Sequence, residues 1–142
     1  MIIKTRDFDE IEIDENDSIF FEMPVIGFED STEYVFLFND SFGTDIAWLQ
    51  SVKEPELCFI LASAALAKWD YSGKAPKDVR AKLGDGEYDA WLVMVVGETA
   101  EQSTVNLRSP IFVNAAQRKA AQAVLEEDLS VRYALFTCER ED

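Results

Sequence analysis

The chain has 142 residues, 48% hydrophobic and 12% aromatic, which excludes a disordered polypeptide and is enough to build the core of one domain. Its 28 acidic and 13 basic residues give a formal net charge of −15, which argues against direct binding of RNA or DNA because Lys and Arg must neutralise phosphates. No histidine is present, so the commonest general base and metal ligand is missing.

The same composition indicates the compartment. No apolar run reaches the length of a transmembrane helix, and charged residues follow Met1 too closely for a secretory signal peptide. We therefore expect a cytoplasmic protein with a single domain over residues 1–142 and no membrane association. Cys58 is predicted to be a small core residue, and a Cys58–Cys138 disulfide is disfavoured in a reducing compartment.

Short apolar runs separated by turn residues predict a succession of β-strands. One stretch is helical instead, with Pro76 in its first turn, Val79 and Leu83 four residues apart, and Gly84 as a stop. Residues 62–67 fit either a strand extension or a coil. In chain order the predicted strands are 1–5, 10–14, 19–23, 33–38, the two arms of 48–61, 90–96, 104–114 and 131–136, with the helix at 76–83.

The stretch 48–61 is predicted to organise the fold. Two apolar arms flank the turn Lys53-Glu-Pro-Glu56, so they should pair as an antiparallel hairpin covered by another layer. Many strands, short turns and little helix predict a mainly β, compact antiparallel barrel-like domain with one or two short helices. We expect one contiguous core that contains Trp48, Leu57, Phe59, Leu92, Val95 and Ile111.

Catalytic and ligand-binding motifs are missing from the sequence. Without histidine, the usual general base that activates a serine nucleophile is missing. No Gly-rich phosphate loop precedes the helix. The Gly84-Asp-Gly-Glu87 segment resembles half of a calcium loop but lacks the alternating ligands and the distal Glu, so it is predicted to be a turn. We expect no catalytic activity, no bound metal and no cofactor.

Three motifs carry a resemblance to a known family. Trp48-Leu-Gln-Ser-Val52 followed by Pro55-x-Leu-x-Phe59 resembles the signature of the flagellar assembly factor FliW family, and Asn106-Leu-x-x-Pro110-Ile-x-x-Asn114 resembles its second motif. Gly27-Phe28-Glu29 matches the end of the family's Gly-x-Pro-Gly-Phe-Glu segment. The chain departs from the family at Met23, at Val25-Ile26, and at Tyr133, where relatives often have His.

The resemblance also bears on residues 115–125. Their Ala, Gln, Arg and Lys content alone favours a helix capped by Asn114. The family implies instead a short helical turn and then a strand that ends near 124–125, and we adopt this prediction because packing overrides weak propensity.

The resemblance implies a regulator rather than an enzyme. FliW-like proteins bind the translational repressor CsrA away from its RNA-binding surface, antagonise its binding to flagellin messenger, and also bind flagellin. By this resemblance we expect a protein that is monomeric when free and forms a 2:2 complex with a CsrA dimer. The alternatives are a flagellin chaperone without CsrA activity, or a small-molecule-binding β-barrel, which a large closed apolar pocket would favour.

Five residues are candidates for partner contact. Glu29 and Glu54 lie in predicted turns beside the family-like motifs, and Trp69 adjoins Asp70 and Tyr71 in a connecting segment. Gln50 and Asn106 are polar residues within strand patterns, where cross-strand hydrogen bonding is the alternative role. For Trp69 the alternative is a partly covered position at the rim of the core.

Overall fold

A computed structural model describes residues 1–99 and 102–135 of the chain. β-Strands dominate, with one α-helix in the described part and two single-turn 3-10 helices at Glu15–Asp17 and Asp40–Phe42. The elements are β1 (Ile2–Lys4), β2 (Glu10–Glu12), β3 (Ser18–Met23), β4 (Glu33–Leu37), β5 (Ile46–Ser51), β6 (Cys58–Ser63), α1 (Lys77–Leu83), β7 (Asp89–Val95), β8 (Thr104–Val105), β9 (Ile111–Asn114), β10 (Lys119–Gln122) and β11 (Tyr133–Ala134).

Seven strands close into a barrel in the order β7-β6-β5-β4-β3-β10-β9, and pairing of β9 with β7 completes the ring. Strands β8 and β11 extend the sheet outward from β7, while β1 and β2 form a separate hairpin. This confirms the predicted mainly β, barrel-like domain with short helices. One pair, β3 with β10, runs parallel, because a closed ring of seven strands cannot alternate in direction at every pair. The two strands are far apart in the chain, so no short hairpin forces them to be antiparallel.

Side chains fill the barrel interior. Alternate residues of each strand point inward, so Ala47 and Leu49 of β5 face Leu61 and Phe59 of β6. The largest inward-facing side chains that are fully buried are those of Tyr34, Leu49, Leu61 and Ile111.

A second core lies between the outer face of the barrel and the segments that cover it. Val79 and Leu83 of α1 pack there with Leu92 and Phe112. On another side the β1–β2 hairpin covers β4, with Ile3 and Ile13 packed against Val35.

The predicted single core is therefore wrong in one respect: its members divide between the two faces of the barrel wall. Leu92 and Ile111 are buried in different clusters, and Trp48, Leu57 and Phe59 are half-buried. Val95 is 67% exposed, because β7 loses β6 as a neighbour after Val93 and continues beyond the barrel with β8.

The local signals for the helix are confirmed. Helix α1 begins directly after Pro76 and ends before Gly84, whose φ of 84° lies in the left-handed region that glycine tolerates. Strand β6 ends at Ser63, and turns follow through residue 68. Segment 104–114 forms two strands, β8 and β9, separated by a turn.

Further along the chain, a turn at 115–118 precedes β10, which confirms the turn-then-strand prediction, although the strand ends at Gln122 rather than near 124–125. Of the predicted strand 131–136, the structure shows β11 at Tyr133–Ala134. Phe136, Cys138 and the tail 139–142 lie outside the described residues. Within the described ranges, no helix is long and apolar enough to cross a membrane.

Candidate protein-binding site at one end of the barrel

Two connections come together at one end of the barrel. The loop between β3 and β4 and the turn between β5 and β6 lie at the same end, because β3, β4, β5 and β6 are successive antiparallel neighbours. We call residues 25–31 and 53–57 the acidic mouth. These two segments carry four carboxylates and one lysine, so the end of the barrel has a strongly negative local charge.

Gln50 holds the turn of the acidic mouth from below. Its side chain is fully buried, and its amide nitrogen donates hydrogen bonds to the carbonyl oxygens of Pro55 (3.1 Å) and Leu57 (3.3 Å). Its amide oxygen accepts a hydrogen bond from the backbone N–H of Arg6 at 3.0 Å. Gln50 therefore lies beneath the turn that carries Glu54 and holds it in place.

The loop of the acidic mouth is fixed by its own backbone. The N–H of Phe28 donates to the carbonyl of Val25 at 2.9 Å, and Gly27 has a φ of 92°, a conformation that residues with a Cβ avoid. The N–H of Gly27 also donates to a carboxylate oxygen of Glu29 at 3.0 Å. This hydrogen bond, together with one from the N–H of Glu29 itself, lowers the pKa of the Glu29 carboxyl. Glu29 is thus exposed, ionised and oriented.

An aromatic pair joins the loop of the acidic mouth to strand β6. The ring of Phe28 packs edge-on against Phe59, with 5.1 Å between the ring centroids, yet Phe28 remains 42% exposed. Ile26 on the same loop is 56% exposed, and its N–H donates to the side-chain oxygen of Gln122 at 2.8 Å. Exposed apolar groups are thereby held in place among carboxylates.

The loop and the turn are joined through Ser31, whose hydroxyl donates a hydrogen bond to the carboxylate of Glu54. Beneath them lies Tyr34, which is fully buried with its ring 6.2 Å from that of Phe59. Burial raises the pKa of Tyr34 to about 12, while the nearby Ser31 hydroxyl opposes that shift. Within the described part of the chain the Tyr34 hydroxyl has no contact with hydrogen-bond geometry.

The second family-like motif reaches the same end of the barrel. The side-chain oxygen of Asn106 accepts hydrogen bonds from the N–H groups of Arg108 (3.0 Å) and Ser109 (3.1 Å), which shapes the turn between β8 and β9. The carbonyl of Ser109 then accepts a hydrogen bond from Gln122 at 3.2 Å, and Gln122 in turn holds Ile26. Sequence reasoning missed Gln122, although a polar residue in an Ala-rich strand was the available signal.

Trp69 lies elsewhere. It is half-buried, packs edge-on against Tyr133 with 5.9 Å between centroids, and lines an open groove of about 780 Å³ on the outside of the barrel. The groove also includes Tyr88, over whose ring Arg80 lies at 5.5 Å. The structure therefore brings four predicted site residues, Glu29, Gln50, Glu54 and Asn106, to one end of the barrel and places Trp69 apart from them.

Across residues 1–99 and 102–135, no three Asp, Glu or Cys side chains are grouped so that they could hold a metal ion. The acidic mouth is therefore characterised by its carboxylates, its aromatic pair and its rigid backbone.

The sequence and the barrel of this chain are similar to those of known proteins. A family model described as FliW protein matches residues 2–135. The chain belongs to the FliW family. One relative, the flagellar assembly factor FliW of Alkaliphilus metalliredigens, is 32% identical over 132 residues, covering 91% of this chain and 82% of that protein. The flagellar assembly factor FliW of Syntrophus aciditrophicus is 34% identical over 140 residues, covering 96% and 88%.

Solved structures agree with this assignment. A crystal structure described as that of the flagellar assembly factor FliW matches with a TM-score of 0.88 at 26% sequence identity, covering 98% of this chain and 99% of that one. The chain is accordingly a member of a family of flagellar assembly factors, and two of its three FliW-like motifs contribute residues to the acidic mouth.

Proposed function

We propose that this FliW-family chain is a cytoplasmic protein-binding regulator that binds CsrA, antagonises its repression of flagellin messenger, and switches partner onto flagellin. The observation that carries the proposal is the acidic mouth, where exposed Phe28 is held among oriented carboxylates at the end of the barrel reached by both long FliW-like motifs. An aromatic residue in a fixed setting is typical of protein interfaces.

Charge supports the proposed choice of partner. A protein of net charge −15 attracts a basic RNA-binding protein and accelerates the encounter. Once docked, it repels RNA within the range over which charge acts at physiological salt, about 8 Å. The proposal requires no direct contact with RNA, no catalytic step, no metal and no cofactor. In this proposal the chain is monomeric when free and binds a CsrA dimer as a 2:2 complex.

The small-molecule alternative has less support. A ligand-binding barrel needs a closed interior cavity with a few convergent polar groups, whereas Leu49, Leu61 and Ile111 fill this interior. The groove beside Trp69 is open and lies outside the barrel. A flagellin chaperone without CsrA activity would use the same acidic mouth, so it is separated from the main proposal by experiment.

The experiment is a gel-shift titration of labelled flagellin messenger bound to cognate CsrA, with the purified chain added. We expect the chain to release the messenger, and not to shift it in a control without CsrA. A Glu29→Gln, Glu54→Gln double variant should need more protein for the same release, because two oriented charges are removed. Glu10→Gln is a control for the loss of one carboxylate outside the acidic mouth, since Glu10 is exposed on the β1–β2 hairpin.

Two results would contradict the proposal. Direct shifting of the messenger by the chain alone would overturn the argument from charge. Complete retention of the messenger on CsrA at saturating chain would eliminate the antagonist function. Flagellin binding, measured in parallel with purified flagellin, would then identify the chaperone alternative.

A further inference from the structure

Two exposed apolar side chains in the acidic mouth occupy fixed positions. Phe28 and Ile26 are 42% and 56% exposed, within a loop of seven residues that is tied to itself and to its surroundings. The N–H of Ser31 donates to the carbonyl of Phe28 at 3.0 Å, and Gln122 holds the N–H of Ile26 at 2.8 Å. A surface that is already ordered loses little conformational entropy when a ligand covers it.

The carboxylates of Glu29 and Glu54 are oriented by hydrogen bonds and take part in none of the ion pairs of the described residues. Glu29 is held by the N–H of Gly27, and Glu54 by the hydroxyl of Ser31. The ion pairs found in the described part of the chain lie elsewhere, and none includes a carboxylate of the acidic mouth. Fixed negative charge around an apolar centre is complementary to a ligand with one apolar group between cationic groups.

The floor of the same site contains a buried polar group. Within the described residues the hydroxyl of Tyr34 makes no contact with hydrogen-bond geometry, although the Ser31 hydroxyl lies near enough to oppose the rise of the Tyr34 pKa. Ser31 also donates a hydrogen bond to Glu54, so the floor and the turn of the acidic mouth share one hydroxyl group.

We propose that Phe28 and Phe59 form an anchor site for one large apolar side chain, carried on an extended segment of a protein partner with Lys or Arg on either side. This deepens the proposed function, on which it rests only in taking the ligand to be a protein. The apolar side chain packs against the exposed edge of the Phe28–Phe59 pair. The flanking cations pair with the carboxylates of Glu29 and Glu54.

The test uses the full chain and a synthetic probe, so that it does not depend on the identity of the partner. A capped nonapeptide with a central Leu between lysines is titrated into isotope-labelled protein, and backbone amide NMR shifts are recorded. We expect shifts concentrated in residues 25–31 and 53–57. A peptide with Gly in place of Leu, and one with Glu in place of Lys, should each bind roughly tenfold more weakly or not at all.

Matched variants locate the anchor. Phe28→Ala should weaken binding of the Leu peptide roughly tenfold. Phe38→Ala should leave it unchanged: Phe38 is similarly exposed at 43% and packs on Trp91 at 6.3 Å, but it lies beyond β4 at the opposite end of the barrel. Phe28→Leu, which keeps an apolar group on the loop, should retain part of the affinity. An unchanged amide spectrum outside the acidic mouth verifies that each variant is folded.

Each outcome decides the proposal. Equal binding of the Leu and Gly peptides would mean that charge alone acts, and shifts centred elsewhere would mean that the anchor is misplaced; either result overturns it. Peptide docking at the mouth without CsrA binding would leave the anchor standing and contradict the proposed function. If a Phe28→Ala variant releases the messenger at the wild-type dose and the peptide shifts lie outside the acidic mouth, the anchor site is overturned and the proposed function stands.

Discussion

Two buried tyrosines show how differently the same side chain is used at the scale of single residues. Burial raises the pKa of both Tyr34 and Tyr71 to about 12, so both are neutral under ordinary conditions. The hydroxyl of Tyr71 donates to the carbonyl of Leu107 at 2.6 Å and ties the segment after β6 to the β8–β9 turn. The hydroxyl of Tyr34 has no such partner in the described residues.

This difference predicts opposite responses to removal of the hydroxyl group. Tyr71→Phe should lower the free energy of unfolding by about 1–3 kcal/mol, because the buried carbonyl of Leu107 loses its donor. Tyr34→Phe should leave the free energy of unfolding unchanged within about 0.5 kcal/mol, or raise it. Urea denaturation of both variants measures the two values. An equal loss for Tyr34→Phe would show that its hydroxyl has a partner after all.

At the scale of elements, Asn114 connects the helix to the barrel. Its side-chain amide is buried and donates to the carbonyl oxygens of Leu83 (2.8 Å) and Asp85 (3.1 Å). Carbonyls at the end of a helix have no partner within it, so β9 supplies one through Asn114. The last residue of the second family-like motif thus holds α1 against the outer face of the barrel.

Asn114→Ala should therefore loosen the helix more than the barrel. We expect a loss of about 1–3 kcal/mol in the free energy of unfolding, with faster amide exchange across 77–83 than across β5 and β6. Hydrogen exchange followed by mass spectrometry measures both regions. Gln117→Ala, an exposed position on the turn after β9, is the control and should change neither. Uniform exchange across helix and barrel in Asn114→Ala would contradict the assigned role.

The elements that could be predicted from the sequence are those whose ends are marked by particular residues nearby in the chain. Pro76, the Val79–Leu83 spacing and Gly84 define α1 within a few residues, and the structure confirms it. The parallel pairing of β10 with β3 was not predictable in this way, because the choice of a distant partner depends on packing across the whole barrel. The exposure of Val95 was missed for the same reason: an apolar run does not show where a strand leaves the barrel.

Prediction of the candidate site was similarly divided. Turn-forming residues in the sequence predict that Glu29 and Glu54 lie in connections between strands. The structure brings these two connections together. Gln50 was predicted to contact a partner, with cross-strand hydrogen bonding as the alternative; its buried amide holds the turn, and a direct contact stays a prediction. The role of Gln122 depends on contacts with Ile26 and Ser109, which are far apart in sequence and carry no common pattern.

At the scale of the whole molecule, charge and shape favour the same class of ligand. A filled barrel leaves its surface for recognition, and a net charge of −15 biases that surface towards cationic proteins. Electrostatic steering acts on the rate of association, whereas a buried apolar anchor acts on the rate of dissociation. The two contributions of the acidic mouth can therefore be separated by kinetics.

The most direct measurement is the kinetics of binding to immobilised cognate CsrA between about 50 mM and about 500 mM salt, over which charge screening changes severalfold. We predict that association slows as salt rises, and that the Glu29→Gln, Glu54→Gln variant associates more slowly at low salt than Glu10→Gln. We also predict that Phe28→Ala dissociates faster than Phe38→Ala. The account would be contradicted by an association rate that does not change with salt, together with identical rates for all four variants. It would also be contradicted if the chain did not bind CsrA at all.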